Sequence, residues 1–290
     1  MKNLLSQSMR NQLRPRFYKC RRDFTKYRME LGLAGRAPDF LLLGAQKAGT
    51  TSLFDVLTRH PLIQGSRTKE LAFFDRYYEL GFDWYKANFP NGTKLTGEAT
   101  PDYLYLDQAR SRITADLPKT TRFVVILRDP VKRLVSHYFH ARRLGYEDLR
   151  LEEALNQESD RIGLHGDQLA GHPLEKRSFR HAYSYFDRGL YDVQLEKWFS
   201  VVPRDQFYVT TIDHFLKNSN IVANEVFNHL GLPDFDVGPN SSKNRGVYSS
   251  SVNHELLDNL RERYAPSVRR LEEMLGLSTG WIGKTANEDD

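Results

Sequence analysis

Four short clusters in this chain hold the residue types needed to grip an oxyanion and move a proton beside it. The first is DFLLLGAQKAGTTSLFD, from Asp39 to Asp55, where Gly44 and Gly49 frame a loop containing Gln46, Lys47 and Ala48 and are followed by Thr50, Thr51 and Ser52. An apolar run leads into the loop, and Leu53, Phe54, Val56 and Leu57 leave it at helical spacing. Strand, tight loop and helix are expected, with backbone N–H groups and a helix N-terminus aimed at one point, an arrangement that favours a phosphate-like anion. The glycines keep the G-x-x-x-x-G spacing of nucleotide-binding loops, but Thr50 stands where such loops carry lysine, and Lys47 lies inside the loop.

The second cluster is Lys69-Glu70 in TKELAFF. A carboxylate in a basic and apolar stretch suits a general base, because burial and nearby cations move its pKa in opposite directions; the plain alternative is a solvated surface pair. The third is Arg128 with Ser136, which both face one anion if the arginine turns toward the edge of a sheet; the plain alternative is a helix-start contact and a helix-face hydroxyl. The fourth is SSKNRGVY, Ser241 to Tyr248, a basic glycine-containing loop.

Positioning these groups requires parallel strands joined by helices. Thr121 to Leu127, TRFVVIL, is apolar throughout and suits the middle of a sheet covered on both faces. Pro130 is placed as a first helical residue, with Val131, Leu134, Val135 and Tyr138 continuing at helical spacing. Arg128 then falls at the strand's C-terminal edge, where open parallel sheets bind ligands. Further strands are expected over Lys94 to Glu98 and over Phe207 to Thr211. Helices are expected over Gly81 to Phe89, Leu190 to Phe199, Ile221 to Leu230 and Asn253 to Leu275. Phe73 and Phe74 read as core anchors. The alternation indicates an α/β fold: a single P-loop-like domain with a central, mostly parallel sheet flanked by helices. Residues 145 to 188 are polar and weakly periodic and read as a long surface excursion over the site.

The 290 residues, 40% hydrophobic and 12% aromatic, can bury a sizeable core. The net charge of +5 is uneven: residues 1–37 carry +8 and the remainder −3. The division expected is a basic N-terminal arm over 1–37, a domain over 38–283 and an acidic tail over 284–290. The arm reads as a solvated amphipathic helix over Arg16 to Leu33 rather than a nucleic-acid-binding element. Cys20 is the only cysteine, so neither an intrachain disulfide nor a thiolate metal cluster is available. No apolar run has the length of a signal peptide or transmembrane helix, so a soluble protein is expected, cytoplasmic if complete or from the Golgi lumen if cut from an anchored parent.

Together these blocks resemble the sulfotransferases that use 3′-phosphoadenosine-5′-phosphosulfate (PAPS), in particular the heparan sulfate type. GAQKAGTTSL looks like the 5′-phosphosulfate loop, TKELAFFD like the block holding the glutamate base, LRDPVKRLVSHY like the 3′-phosphate block and SKNRGVY like the late basic cofactor loop. The resemblance implies that Gln46 to Ser52 surround the donor's phosphosulfate, with Lys47 on the bridging and sulfuryl oxygens. It implies Arg128 and Ser136 on the 3′-phosphate; Lys243, Arg245 and Gly246 on the cofactor phosphates; and Glu70 on the acceptor's proton. It further implies a hydroxyl or amine acceptor, often a glycan, in an open cleft lined by Arg67, Lys69, Trp84, Tyr85 and Tyr103, and no required metal. Departures fall on the acceptor side. Glu98-Ala99-Thr100-Pro101 lacks the lysine common in relatives, Ala72 stands where 3-O-type relatives carry histidine, and the paired cysteines of many Golgi relatives are missing. Two other classes stay open at this point: a P-loop kinase or NTPase, which needs lysine after Gly49 and a magnesium-binding aspartate after a strand, and a non-catalytic polyanion-binding module, supported by the basic arm.

Overall fold

Five short runs, each rich in apolar or β-branched residues, form one parallel sheet: β1 (Phe40–Gly44), β2 (Ile63–Gly65), β3 (Leu95–Ala99), β4 (Arg122–Leu127) and β5 (Phe207–Thr211). Their spatial order is β2-β3-β1-β4-β5, and every pairing is parallel. The computed structural model describes residues 19, 20, 22–32, 35–166, 168, 177–239 and 252–283.

Side-chain alternation along the central strands divides the interior in two. Leu41, Leu43, Phe123, Val125 and Leu127 enter the larger core, while Phe40, Leu42, Val124 and Ile126 enter the smaller one on the opposite face. The smaller core is closed by α1 (Thr50–Leu57), through Leu53, Phe54, Val56 and Leu57, and by the helix Ser219–His229, through Val222, Ala223, Val226 and Phe227. Such continuous burial explains why β1 and β4 read as unbroken apolar runs.

β1 sits between β3 and β4, so the chain leaves it toward one side of the sheet and later returns on the other. This is the switch point of an open α/β sheet, and the loops at the C-terminal ends of β1 and β4 lie side by side there. Ala45 N donates to Ile126 O at 2.7 Å, tying the phosphate-type loop to the end of β4. After β4 the helix α2 (Pro130–Leu144) begins with proline at its first turn, and Asp129 Oδ1 accepts from Val131 N at 2.9 Å and Lys132 N at 3.1 Å.

Two expectations change. Residues 145–188 are not a surface excursion: their described part includes the helices Leu151–Asn156, Glu158–Leu164 and Phe179–Tyr183. Leu151, Ala154, Ser184, Tyr185 and Arg188 within it are buried. Its interior is stitched by polar groups, such as Glu158, which accepts from Phe186 N at 2.7 Å and Asp187 N at 2.8 Å, and this pairing hides the apolar periodicity a buried element normally shows. The basic arm is not solvated throughout either. A helix over 22–30 packs on the domain, with Thr25 buried and Trp84 Nε1 donating to Arg22 O at 3.4 Å.

The centre of the sheet is tight enough to test. A Cβ on Gly97, in β3, would lie 2.3 Å from Phe40 Cζ, and Phe40 is fully buried. Gly97→Ala is expected to destabilise the protein by about 1–3 kcal/mol through this overpacking, read as a lower urea midpoint at unchanged slope. An unchanged midpoint would mean that the ring and strand relax freely.

Candidate active site

The loop after β1 is built to leave its anion-facing groups open. Lys47 adopts φ 68, a left-handed conformation unusual for a residue with a side chain. Gly49, at φ 91, caps α1 without a side-chain hydrogen bond, and no acidic residue lies in the first turn of α1. Glycine is favoured there by its positive φ, and a Cβ would also press on the tip of Ile212, at 2.4 Å from Cδ1. Gln46, Ala48 and Thr50 are buried, Ser52 is half-buried and Thr51 is exposed. Gln46 Oε1 is buried without a hydrogen-bond partner.

Arg128 reaches across the switch point and donates from Nη1 to Lys47 O at 3.0 Å, while Tyr191 OH donates to Arg128 O at 2.8 Å. Lys47 is thereby held in a cationic neighbourhood. Burial pushes its pKa down to about 8, Arg143, Arg128 and Arg133 push the same way, and Glu70 alone among the named influences opposes them. Arg128 is itself lowered, first by burial. Crowding cations in partial burial is costly unless an anion joins them. Ser136 is buried on α2, two turns beyond the strand end.

Arg133 and Arg143 were not singled out from the sequence, although both stand in the run that carries Arg128 and Ser136. Arg133 is fully buried on α2; its Nη2 donates to Tyr185 O, and its Nη1 lies 3.5 Å from His137 Nδ1. These contacts are to a backbone carbonyl and an imidazole, and neither is a carboxylate. The available signal was an arginine on the helix face otherwise occupied by Pro130, Leu134 and Tyr138, a position where a surface charge is out of place.

Glu70 lies beside this centre. Its carboxylate is 36% exposed and sits 3.9 Å from Lys69 Nζ, a loose pair. Lys69 Nζ turns instead to Thr51 Oγ1 at 2.8 Å, bridging this segment to α1. Ala72, at φ 52, reverses the chain just after Glu70, and its N–H donates to Thr100 Oγ1 at 3.2 Å. A small cleft of about 30 Å³ opens here, lined by residues including Thr68, Glu70, Ala72, Arg76 and Trp84. Glu70 is the one carboxylate among its described lining residues.

Trp84 lines the cleft but is 3% exposed, and it stacks on Phe73 at 6.1 Å. Arg67 is exposed. Tyr85 and Tyr103, expected as cleft residues, are corrected by the structure: both are fully buried and donate to Glu98 Oε1, at 2.8 and 3.0 Å. Their rings complete the aromatic core around Phe73 and Phe74, which leaves no face for an acceptor. Lys243, Arg245 and Gly246 lie outside the described residues.

Beneath the cleft is a buried ionic network with no counterpart in the sequence reading. Asp75 Oδ2 accepts from Arg76 Nε at 3.1 Å and contacts His181 Nε2 at 3.2 Å, and Asp102 is paired with Arg188. Burial pushes both acids up, but the adjacent cations outweigh it, lowering Asp75 and holding Asp102 well below the ordinary carboxylate range. Ligand atoms of Asp75, Asp102 and His181 lie within 4.8 Å of one another, yet Arg76 and Arg188 already neutralise the two carboxylates, so the cluster is an ion-pair network in its own right. Glu98 behaves differently. It is fully buried without a cation partner, and burial pushes its pKa up to about 7 against hydrogen bonds from Tyr85, Thr100 and Tyr103. Neither Glu98 nor Asp102 reaches the cleft, so neither replaces Glu70 there.

A parallel α/β sheet with an anion loop at its switch point, arginines from the next strand and a carboxylate at the adjoining cleft define a group-transfer fold specialised for anionic donors. The profile of the sulfotransferase domain family matches residues 37–279. The chain belongs to that family. Heparan sulfate glucosamine 3-O-sulfotransferase 3B1 of Mus musculus is 28% identical over 269 residues, covering 84% of this chain and 65% of that protein. This chain therefore spans slightly less than two thirds of that relative. A sulfotransferase structure from Alicyclobacillus acidocaldarius superposes with TM-score 0.67 at 25% identity, covering 85% of this chain and 99% of that one. Mouse sulfotransferase SULT7A1, solved in complex with PAP, shares the fold with TM-score 0.50 at 16% identity over 84% of this chain and 91% of its own. Among the described residues no helix is long and apolar enough to cross a membrane.

Glu98 provides a test of the buried half of this region. A carboxyl whose folded pKa lies above its unfolded value stabilises the fold fully at low pH and loses that contribution as pH rises. For Glu98 the window runs from its ordinary 4.5 to about 7. Glu98→Gln is expected to gain stability relative to the parent across that interval, with the difference level above it, measured as urea midpoints from pH 4.5 to 8. A pH-independent difference would mean that Glu98 titrates normally.

Proposed function

We propose that this protein transfers a sulfuryl group from PAPS to a hydroxyl, or an amine, of a carbohydrate acceptor, and that it does so without a metal. The observation that carries this reading is the clustering of Lys47, Arg128, Arg133 and Arg143 at an open anion loop, with Glu70 opposing them. The uncapped start of α1, with no acidic residue in its first turn, fits a group rich in oxyanions. PAP in the mouse structure of the same fold and the 3-O-sulfotransferase relative support the choice of donor and of acceptor class.

The donor, when bound, supplies an activated sulfuryl group whose transfer needs no redox chemistry. Lys47 and the loop N–H groups would hold the sulfuryl and bridging oxygens and offset the charge that develops on the leaving phosphate. Arg128 and Ser136 would hold the 3′-phosphate, remote from the reacting atoms, so their contribution is mainly uniform binding. Glu70 would take the acceptor's O–H proton as the new O–S bond forms, worth typically ~10²- to 10⁴-fold. Its partial exposure and loose contact with Lys69 leave it available for that task. A magnesium-dependent kinase or NTPase finds less support, because Asp129, the acid that follows β4, is engaged in capping α2.

Glu70→Gln preserves shape and removes the proton acceptor. PAP affinity and melting temperature are expected to hold while single-turnover transfer to an accepted glycan falls by ~10²-fold or more. Loss of PAP affinity with the transfer rate would instead make Glu70 a partner of Lys47 or Lys69.

A further inference from the structure

The helix over 22–30 precedes the segment matched by the sulfotransferase family, which begins at residue 37. It nevertheless forms a wall of the cleft that contains Glu70: Arg22 and Thr25 line that cleft together with Ala72 and Trp84. The packing is specific. Arg22 lies over the Tyr77 ring at 4.6 Å, its carbonyl accepts from Trp84 Nε1, and Thr25 Oγ1 donates to Asn88 Oδ1 at 3.2 Å. Two cations line the cleft. Arg76 is spent on Asp75, its Nε lying 3.1 Å from Asp75 Oδ2, whereas Arg22 Nη1 is buried with no hydrogen-bond partner.

A buried guanidinium N–H without an acceptor is costly, and a planar fork at the wall of a cleft is the group best shaped to receive a sulfate or carboxylate. The rim adds to the same field: Arg28, on this helix, and burial together lower the pKa of Arg67. We propose that Arg22 is a specificity-determining residue that binds an oxyanion of the acceptor, a sulfate or carboxylate on the sugar next to the one whose hydroxyl faces Glu70. The helix 22–30 is thereby part of the acceptor site rather than an appendage. The inference rests on reading the Glu70 cleft as the place where the acceptor lies.

The test is calorimetric titration of the full chain, with and without PAP, using three probes: a sulfated heparin tetrasaccharide, its fully desulfated carboxylate-only form, and neutral chitotetraose. Arg22→Gln is expected to weaken at least one anionic probe by ~10-fold or more, the affected probe naming the oxyanion, while chitotetraose binding stays as in the parent. Arg22→Lys, which keeps the charge and loses the fork, should recover only part of the loss, and Lys26→Gln, an exposed charge on the same helix, should change nothing. Unaltered binding of both anionic probes by Arg22→Gln, an equal loss for chitotetraose, or an equal loss in Lys26→Gln would overturn the proposal. Melting temperatures of the variants separate lost binding from lost packing of the helix on Tyr77. Failure of PAP to bind would overturn the donor reading alone, since the cofactor-free titrations score Arg22 independently.

Discussion

The structure depends on an electrostatic imbalance at the C-terminal ends of β1 and β4. Lys47 is half-buried, its pKa pushed down to about 8 by burial and by Arg143, Arg128 and Arg133, with Glu70 opposing. A protein interior tolerates such an arrangement only when a ligand completes it or when the stability of the surrounding fold carries the strain. Here the surrounding fold is a parallel sheet with a core on each face, and its strand order is what brings the two basic loops together. Every feature of the loop keeps the imbalance open. The start of α1 carries no acidic residue, Gly49 caps it without a side chain, and Arg128 is tethered by a backbone carbonyl rather than neutralised by an acid.

The acceptor side obeys the opposite rule. There the charges below the cleft are matched, with Asp75 against Arg76 and His181 and with Asp102 against Arg188, and Glu98 is enclosed by three hydroxyl groups. Matched buried pairs contribute little net stability, but removing one partner is expensive, so they hold geometry. This floor fixes the turn at Ala72 and leaves Glu70 as the cleft's partly exposed acid. Under the proposed reaction, the unmatched side would receive the polyanionic donor and the matched side would hold the geometry around the acceptor.

Much of this was legible in the sequence because it rests on local rules. The loop at Gly44 to Gly49 announces itself by glycine spacing, the start of α2 by Asp129-Pro130, and β1 and β4 by uninterrupted apolar runs. Arg133, Tyr191 and His181 were not legible, since a buried polar residue looks like a surface residue until its partner is known, and those partners lie far away in the chain. Tyr85 and Tyr103 failed for the converse reason: an aromatic hydroxyl suits a glycan cleft, and only the position of Glu98 shows that these hydroxyls are already engaged. Residues 145–188 were misread because buried ion pairs and backbone caps replace the apolar stripe by which packed segments are recognised, and the packing of the helix over 22–30 was missed because it rests on a carbonyl, a hydroxyl and a cation over a ring.

The central claim is that a buried lysine, and no metal, organises an anion site at this switch point. It is tested most directly by calorimetric titration of PAP in the presence of EDTA from pH 7 to pH 9.5. The account predicts tight binding without metal that weakens as pH rises past about 8, where Lys47 loses its proton. It also predicts that Lys47→Ala both weakens binding and flattens that dependence. Binding that needs magnesium, or a wild-type affinity that is level across this range, would contradict it.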